Sequence, residues 1–331
     1  MRAVTVLEGD RVEVTDHPVP QPGEGDLLVR VHGAGLNRAD LMQRAGFYPA
    51  PVGSPPDIPG LEFSGVVEAV DVTVTGFAPG DRVFGICGGG GQAEFLRVPA
   101  VQCTPVPDHL DLVAMGGVPE VFVTAHDGLV SQAGLSSGEC ALVHAVGSGV
   151  GTAAVQLASV LGATVVGTAR TADKIERCRP LGLTRGVVPP RRDDGALDMP
   201  AFVAQLHEAC PGGAEVILDL VGGEYVEADV AVAALGGWIV VVGTLAGGSA
   251  RLELLTAMQK RLTIRGTVLR ARSIDEKGQA IEAFARDVVP MLAARTVEPV
   301  IEHVLPLERA AEAYDLLASN KTFGKVVLSA T

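Results

Sequence analysis

The sequence is short of positive charge, sparing with cysteine and free of long apolar runs. Its 26 Lys and Arg are outnumbered by 39 Asp and Glu, leaving a formal charge of −13. Such a chain has no general field for gripping a polyanion, so nucleic acid is not expected as a partner. An anionic cofactor would need a locally positive site. The five cysteines (Cys87, Cys103, Cys140, Cys178 and Cys210) are odd in number, far apart and contain no Cys-x-x-Cys. That excludes a disulfide scaffold and a zinc ribbon and predicts a reducing, cytoplasmic setting. Apolar runs such as residues 238–242 fall far short of the ~20 residues needed to cross a bilayer, and the alternation after Met1 is unlike a signal peptide. No membrane partner is expected. The glycines and prolines follow no repeat, which excludes a fibre and implies many turns.

What remains is a chain of 331 residues, 47% apolar and 20% charged, enough for about two domains with full cores. The first 120 residues read as short strands (11–15, 26–32, 64–70 and 81–86) between Pro-Gly and Gly-Asp turns, with proline-rich loops at 20–25 and 48–59. This predicts an antiparallel, barrel-like β domain. From Cys140 the pattern changes. Continuous apolar strands alternate with helical segments: strand 141–145, helix 152–161, strand 164–168, helix 172–181, then strands 215–220, 238–243 and 262–269. Apolar strands separated by helices predict a parallel, doubly wound sheet of the Rossmann type, hence an α/β protein. A helix over 274–294, a strand at 300–305, a helix over 307–318 and a strand at 325–328 follow, an order that could return to the first domain and complete it. The expected domains are 1–119 with 271–331, and 120–270, with a ligand cleft between them.

The strongest local signal is Ala141-Leu142-Val143-His144-Ala145-Val146-Gly147-Ser148-Gly149-Val150-Gly151-Thr152, a buried strand, a glycine turn and a small-residue helix start. Glycines let backbone approach a pyrophosphate, and the helix end offers N–H groups and a positive dipole. With Gly151 as the third glycine of Gly-x-Gly-x-x-Gly, Val146 and Ser148 occupy the first two positions. The alternative is a glycine-rich turn with no ligand. The second strand ends Val166-Gly167-Thr168-Ala169-Arg170, with Lys174 one turn further on. NAD enzymes place Asp or Glu here to hold the ribose 2′-OH. Ala169 would not repel a 2′-phosphate, and Arg170 and Lys174 could pair with one, unless they are ordinary solvated residues. NADPH is the expected cofactor.

A third cluster, Leu36-Asn37-Arg38-Ala39-Asp40-Leu41-Met42-Gln43-Arg44-Ala45-Gly46-Phe47-Tyr48, taken with these motifs in this order, resembles the zinc-free quinone oxidoreductases of the medium-chain dehydrogenase/reductase superfamily. It is nearest the tumour-suppressor-inducible type and is also similar to the zeta-crystallins. The resemblance extends over Pro22-Gly23-Glu24-Gly25, Pro59-Gly60-Leu61-Glu62, Pro79-Gly80-Asp81-Arg82-Val83 and Gly324-Lys325-Val326-Val327-Leu328, essentially the whole length. It implies a GroES-like catalytic domain beside the Rossmann domain. Zinc-dependent relatives carry Cys where this chain has Asn37-Arg38 and His where it has Leu61, so no metal is expected.

The resemblance also implies roles. Asn37 and Thr124 would lie near the nicotinamide. Ser148, Gly149 and Val150 would meet the diphosphate, and Thr168, Arg170 and Lys174 the adenosine phosphate. Gly243, Thr244 and Leu245, with Thr267, Val268 and Leu269, would flank the nicotinamide ribose, and Asn320 would close over the cofactor. Tyr48 would donate a hydrogen bond or a proton to a quinone oxygen, or merely wall the pocket. The implied activity is NADPH:quinone reduction. The alternatives are enone or enoyl reduction, which depends more on a positioned donor, and an NADPH-binding protein with little turnover. A homodimer paired through strand 262–269 is expected.

Overall fold

The computed structural model describes residues 1–330. The chain divides into two compact units, Thr124–Val268 and a second made of Met1–Val123 with the segment from Leu269 onward. Among the described residues no helix is long and apolar enough to cross a membrane.

The Thr124–Val268 unit holds a six-stranded sheet, all parallel. In chain order its strands are Cys140–Val143, Thr164–Thr168, Arg185–Val187, Ala214–Asp219, Ala233–Val241 and Thr263–Gly266. Across the sheet they run third, second, first, fourth, fifth, sixth, the doubly wound order that reverses between the first and fourth strands. Both faces are covered, which is why these strands read as unbroken apolar runs. Leu142, Val166, Ile217 and Ile239 pack on one face against Phe202 and Leu206 of helix Met199–Ala209 and Tyr225 and Ala228 of helix Tyr225–Val232. On the other face a π-helical turn, Asp127–Gln132, brings Gly128 so near Leu218 that a methyl group there would lie 2.7 Å from its Cδ1.

The second unit carries a seven-stranded sheet. Asp26–Gly35 pairs antiparallel with Glu62–Val70 and Phe95–Pro99, and Arg82–Ile86 lies between Glu62–Val70 and Cys103–Pro105. The chain returns after the nucleotide-type unit to add Lys325–Ser329 beside Asp26–Gly35, with Val327 opposite Gly35. Its core includes a cluster around Leu27, Val29, Phe63 and Val83, another around Leu36, Tyr314, Val326 and Leu328, and a smaller one of Ala3, Ile58 and Ala93.

Four expectations are corrected. The sheet of this unit is not wholly antiparallel, because Ile301–Pro306 pairs parallel with Lys325–Ser329. The predicted helix 274–294 is two, Ile274–Asp287 and Val289–Ala293, because Pro290 has no N–H to continue the first ladder. The predicted helix 307–318 opens with a 3₁₀ turn, Leu307–Arg309, before the α-helix Ala310–Ala318. The edge strand predicted over 262–269 is only Thr263–Gly266: its pairing ends with the Thr267 amide on the Val241 carbonyl, and Val268 and Leu269 lie beyond the ladder.

Candidate active site

The carboxyl ends of the parallel strands gather most of the residues expected at a dinucleotide. Ser148 caps helix Gly149–Val160, and its hydroxyl accepts the Gly151 N–H at 3.0 Å. The Thr152 N–H is taken by the Ser148 carbonyl at 2.8 Å. The Gly149 and Val150 amides, at a helix N-terminus, are then the donors suited to a diphosphate. Gly151 is needed for packing rather than for phosphate. A Cβ there would lie 2.3 Å from the Ala145 carbonyl oxygen and 2.7 Å from the Val146 Cα. The turn itself is made by Ala145, at φ 53°, a conformation costly for a residue with a Cβ.

Thr168 ends the second strand, and Arg170 stands exposed just beyond it. Lys174, in helix Ala172–Cys178, runs its stem along the glycine turn, with Cδ 2.8 Å from where a Cβ on Gly147 would sit. Gly243, Thr244 and Leu245 follow the fifth strand, with Leu245 exposed. Thr267 follows the sixth, its amide donating to the Val241 carbonyl at 2.9 Å and its hydroxyl accepting from Gln132 at 3.0 Å. Thr124 is buried in helix Pro119–His126. Val268 is half exposed, and Leu269 belongs to the other unit.

Two residues of this crevice were not anticipated. His144, which directly follows the first strand, is fully buried between Thr168 Oγ1 (2.9 Å) and Asp229 Oδ1 (2.7 Å). Asp219 ends the fourth strand and accepts the Val221 and Gly222 amides at 2.8 and 2.9 Å. Burial pushes the Asp229 carboxyl up to about 6 and opposes the imidazolium, yet the Asp229 carboxylate holds His144 above its ordinary value. The signal was a histidine inside the glycine motif, which the motif masked.

In the other unit the polar residues converge on Glu62. Its Oε1 takes the Lys325 ammonium at 2.6 Å and the Asn37 amide N–H at 2.9 Å, and its Oε2 accepts the Glu120 backbone N–H at 3.0 Å. Lys325 also donates to the Leu36 carbonyl (2.6 Å) and to Asn37 Oδ1 (2.8 Å). Lys325 and Glu62 are buried, and Gly35 makes room, since a Cβ there would lie 2.2 Å from Glu62 Oε1. Both ends of the Asn37 side chain are therefore committed inside this hub. Its backbone N–H is held by Asp40 Oδ2 at 2.8 Å. Asp40 also accepts Gly60 N–H (3.2 Å) and Gln92 Nε2 (3.2 Å), while burial pushes its carboxyl up to about 6.

Tyr48 lies under the Arg270 guanidinium, 5.0 Å from its ring centroid. Arg270 donates to the Tyr48 carbonyl (2.9 Å), the Gly88 carbonyl (2.8 Å) and Gln43 Oε1 (2.6 Å). Burial raises the Tyr48 phenol, with Arg270 opposing. Asn320, at φ 60° just after helix Ala310–Ala318, accepts a hydrogen bond from Arg38. Glu62, Lys325 and Arg270 had no predicted role, although Glu62 and Lys325 stand in the quoted motifs.

These donors do not fit zinc. Asn37 Oδ1 and Glu62 Oε1 are already taken by an ammonium and Glu62 Oε2 by a backbone N–H, Leu61 offers no ligand, and among the described residues no three His, Cys, Asp or Glu side chains converge for a metal.

The chain matches the family models described as "Alcohol dehydrogenase GroES-like domain" over residues 23–108 and "Zinc-binding dehydrogenase" over 149–286. It is 30% identical over 336 residues to the quinone oxidoreductase of Rattus norvegicus, covering 99% of this chain and 97% of that protein. Among solved structures it superposes on mycobacterial Rv1454c complexed with NADPH (TM-score 0.86, 28% identity, 99% and 100% of the two chains). It also superposes on an NAD-dependent alcohol dehydrogenase (TM-score 0.83, 31% identity, both chains covered completely). With a nicotinamide-cofactor fold in one unit and a GroES-like fold in the other, the chain belongs to the quinone oxidoreductases of the medium-chain dehydrogenase/reductase superfamily.

Proposed function

We propose that the protein is an NADPH-dependent, zinc-independent reductase of small quinones. The observation that carries this reading is the Lys325 ammonium seated on Glu62 and Asn37. A zinc-dependent alcohol dehydrogenase of this superfamily polarises its substrate with the metal; here Asn37-Arg38 and Leu61 stand where such relatives carry Cys and His, and the Asn37 oxygen is taken by the chain's own cation. A quinone needs no such Lewis acid, since hydride addition is favourable and the reduced oxygen is readily protonated. The nicotinamide, when bound, supplies the hydride. The chain's own residues bind and orient: Gly149 and Val150 amides on the diphosphate, Arg170 and Lys174 on a 2′-phosphate, and Tyr48 toward a quinone oxygen.

The preference for NADPH rests on Ala169 and Arg170, where an acidic residue would select NAD. The exposed edge strand Thr263–Gly266, together with exposed Leu254, Leu255 and Met258, supports a homodimer formed through this face. Reduction of an activated C=C bond in enones is the second reading, because Tyr48 offers a phenol beside a fixed cation. A panel of ortho-quinones, para-quinones and enones, assayed with NADPH and NADH, separates them. Quinone turnover with NADPH is expected to exceed all others. Turnover confined to enones would reverse the order, and tight NADPH binding without turnover would make the chain a cofactor-binding protein.

A further inference from the structure

We propose that Asp219 and Asp229 share one proton, and that this proton and His144 together hold the ends of the first, second and fourth parallel strands in the arrangement that binds the dinucleotide. The proposal rests on the reading of this crevice as the cofactor site and adds three positioning residues to it. His144 directly follows the first strand, and its backbone N–H donates to the Leu218 carbonyl at 3.1 Å, which sets it beside Asp219. Its ring is pinned at both nitrogens, by Thr168 Oγ1 at the end of the second strand (2.9 Å) and by Asp229 Oδ1 of helix Tyr225–Val232 (2.7 Å). Tyr225 stands edge-on to the ring with 4.9 Å between centroids, and Phe202 lies at 6.3 Å. Asp219 Oδ1 takes the Val221 and Gly222 amides. The loop after the fifth strand hangs on that turn. The Val242 N–H donates to the Asp219 carbonyl and the Ala246 N–H to the Val221 carbonyl, both at 2.8 Å, and a Cβ on Gly222 would lie 2.5 Å from the Gly243 carbonyl oxygen. Thr168, Gly243, Thr244 and Leu245 are residues expected at the dinucleotide, so the cluster braces two of the segments that would hold it.

The remaining oxygens call for a proton. Asp219 and Asp229 are fully buried, and the Oδ2 atom of each has no hydrogen-bond partner. The two carboxyl groups nevertheless lie within hydrogen-bond reach of each other. Ionised carboxylates only accept, so a single proton between them satisfies both orphaned oxygens at once. It also balances charge, since one proton and one imidazolium against two carboxyl groups leave the buried cluster neutral. A metal does not take the proton's place: among the described residues these three do not form a group suited to one.

The groups that face the cluster are Thr168 from the second strand, Asp219 from the fourth, Tyr225 and Asp229 from one helix and Phe202 from another. Arg191, Glu224 and Arg170 act on Tyr225 at its edge. Burial pushes the Asp229 carboxyl up to about 6 against the pull of His144, and the Asp219 charge adds to the rise. The proton is therefore held on the acid side of that value and lost above it. Its loss sets two like charges together, which the Asp219 turn relieves by moving, and the loop at 243–246 moves with it. By reciprocity, a dinucleotide that favours the braced form draws a proton in as it binds.

The test is calorimetric titration with NADPH at about pH 5.5 and about pH 7.5, in buffers of different ionisation enthalpy. Asp229→Asn makes the same contacts permanently, its Oδ1 accepting from His144 and its Nδ2 donating to Asp219 Oδ2. The 2′-phosphate titrates equally in both proteins, so their ratio reports on the cluster. Relative to D229N, the unmodified protein should lose ~5-fold in NADPH affinity between the two pH values and take up more protons on binding. In the unliganded, unmodified protein carrying ¹³C-labelled aspartate, the Asp219 and Asp229 carboxyl signals should move together near pH 6, a result that stands whether or not D229N folds. H144Q, which removes the imidazolium but keeps a donor toward Asp229, should move that midpoint upward. The proposal is overturned if the two aspartates show no common transition, or if D229N weakens NADPH binding by the same factor at both pH values, as a merely structural contact would. If neither NADPH nor NADH binds the unmodified protein at either pH, the cofactor reading fails, while the aspartate titration, which needs no cofactor, still decides whether the proton is shared.

Discussion

At the scale of single residues the two sites depend on a few fixed charges. Arg170 is the selector for cofactor. A charge-assisted contact to a 2′-phosphate is worth ~1.5–3 kcal/mol, so Arg170→Ala should cost NADPH roughly tenfold to a hundredfold in affinity and leave NADH nearly unchanged, as calorimetric titration would show. Lys325 is the opposite case, a charge with no solvent to fall back on. Lys325→Met would leave Glu62 buried and uncompensated, a loss of about 3–5 kcal/mol in urea unfolding, and adding Glu62→Gln should recover much of it. If the double variant is no more stable than K325M, the ion pair is not the source of the loss. Asp40 and Glu120 both have carboxyls raised by burial, to about 6 and about 8, so the folded state holds protons the unfolded chain releases. Their contribution to stability is therefore largest below their unfolded values and is lost as pH rises through these two; D40N should flatten the first part of that decline. Asn37 and Tyr48 could be singled out from the sequence because they sit in a recognisable run. The role of Glu62 could not, because its character comes from Lys325 and the Glu120 backbone N–H, positions far along the chain that the fold brings to its carboxylate.

At the scale of elements, the parallel sheet was legible because strands covered on both faces must be apolar throughout, and the helices between them supply the contrasting period. Boundaries were less so. The fifth strand begins at Ala233 rather than Trp238, since Gly236 and Gly237 read as a turn but form an irregularity in the ladder between Ala214 and Val216. The sixth strand was overextended because Val268 and Leu269 keep an apolar character after leaving the sheet. The glycine turn shows what a local pattern can carry. Gly151→Ala should push helix Gly149–Val160 off the first strand, since its methyl would meet the Ala145 carbonyl and the Val146 Cα. A loss of ~1–3 kcal/mol in thermal unfolding and a weakened dinucleotide affinity are expected. Unchanged affinity would mean that the Gly149 and Val150 amides do not meet the diphosphate.

At the scale of the whole molecule, the exposed apolar side chains Leu254, Leu255 and Met258 of helix Leu254–Lys260, with Ile264 and Val268 on and just after the edge strand, are the ones the proposed homodimer would cover. Light scattering should give twice the 34.1 kDa chain mass at micromolar concentration, and Leu255→Asp with Met258→Asp should shift the protein toward monomer. A stable monomer for the unmodified chain would refute the pairing. The central claim, a reductase that works with NADPH and no metal, is tested most directly by quinone-dependent oxidation of NADPH after exhaustive chelation. The account predicts turnover equal to that of the untreated protein and well above that with NADH. Activity that disappears on chelation and returns with zinc would contradict it.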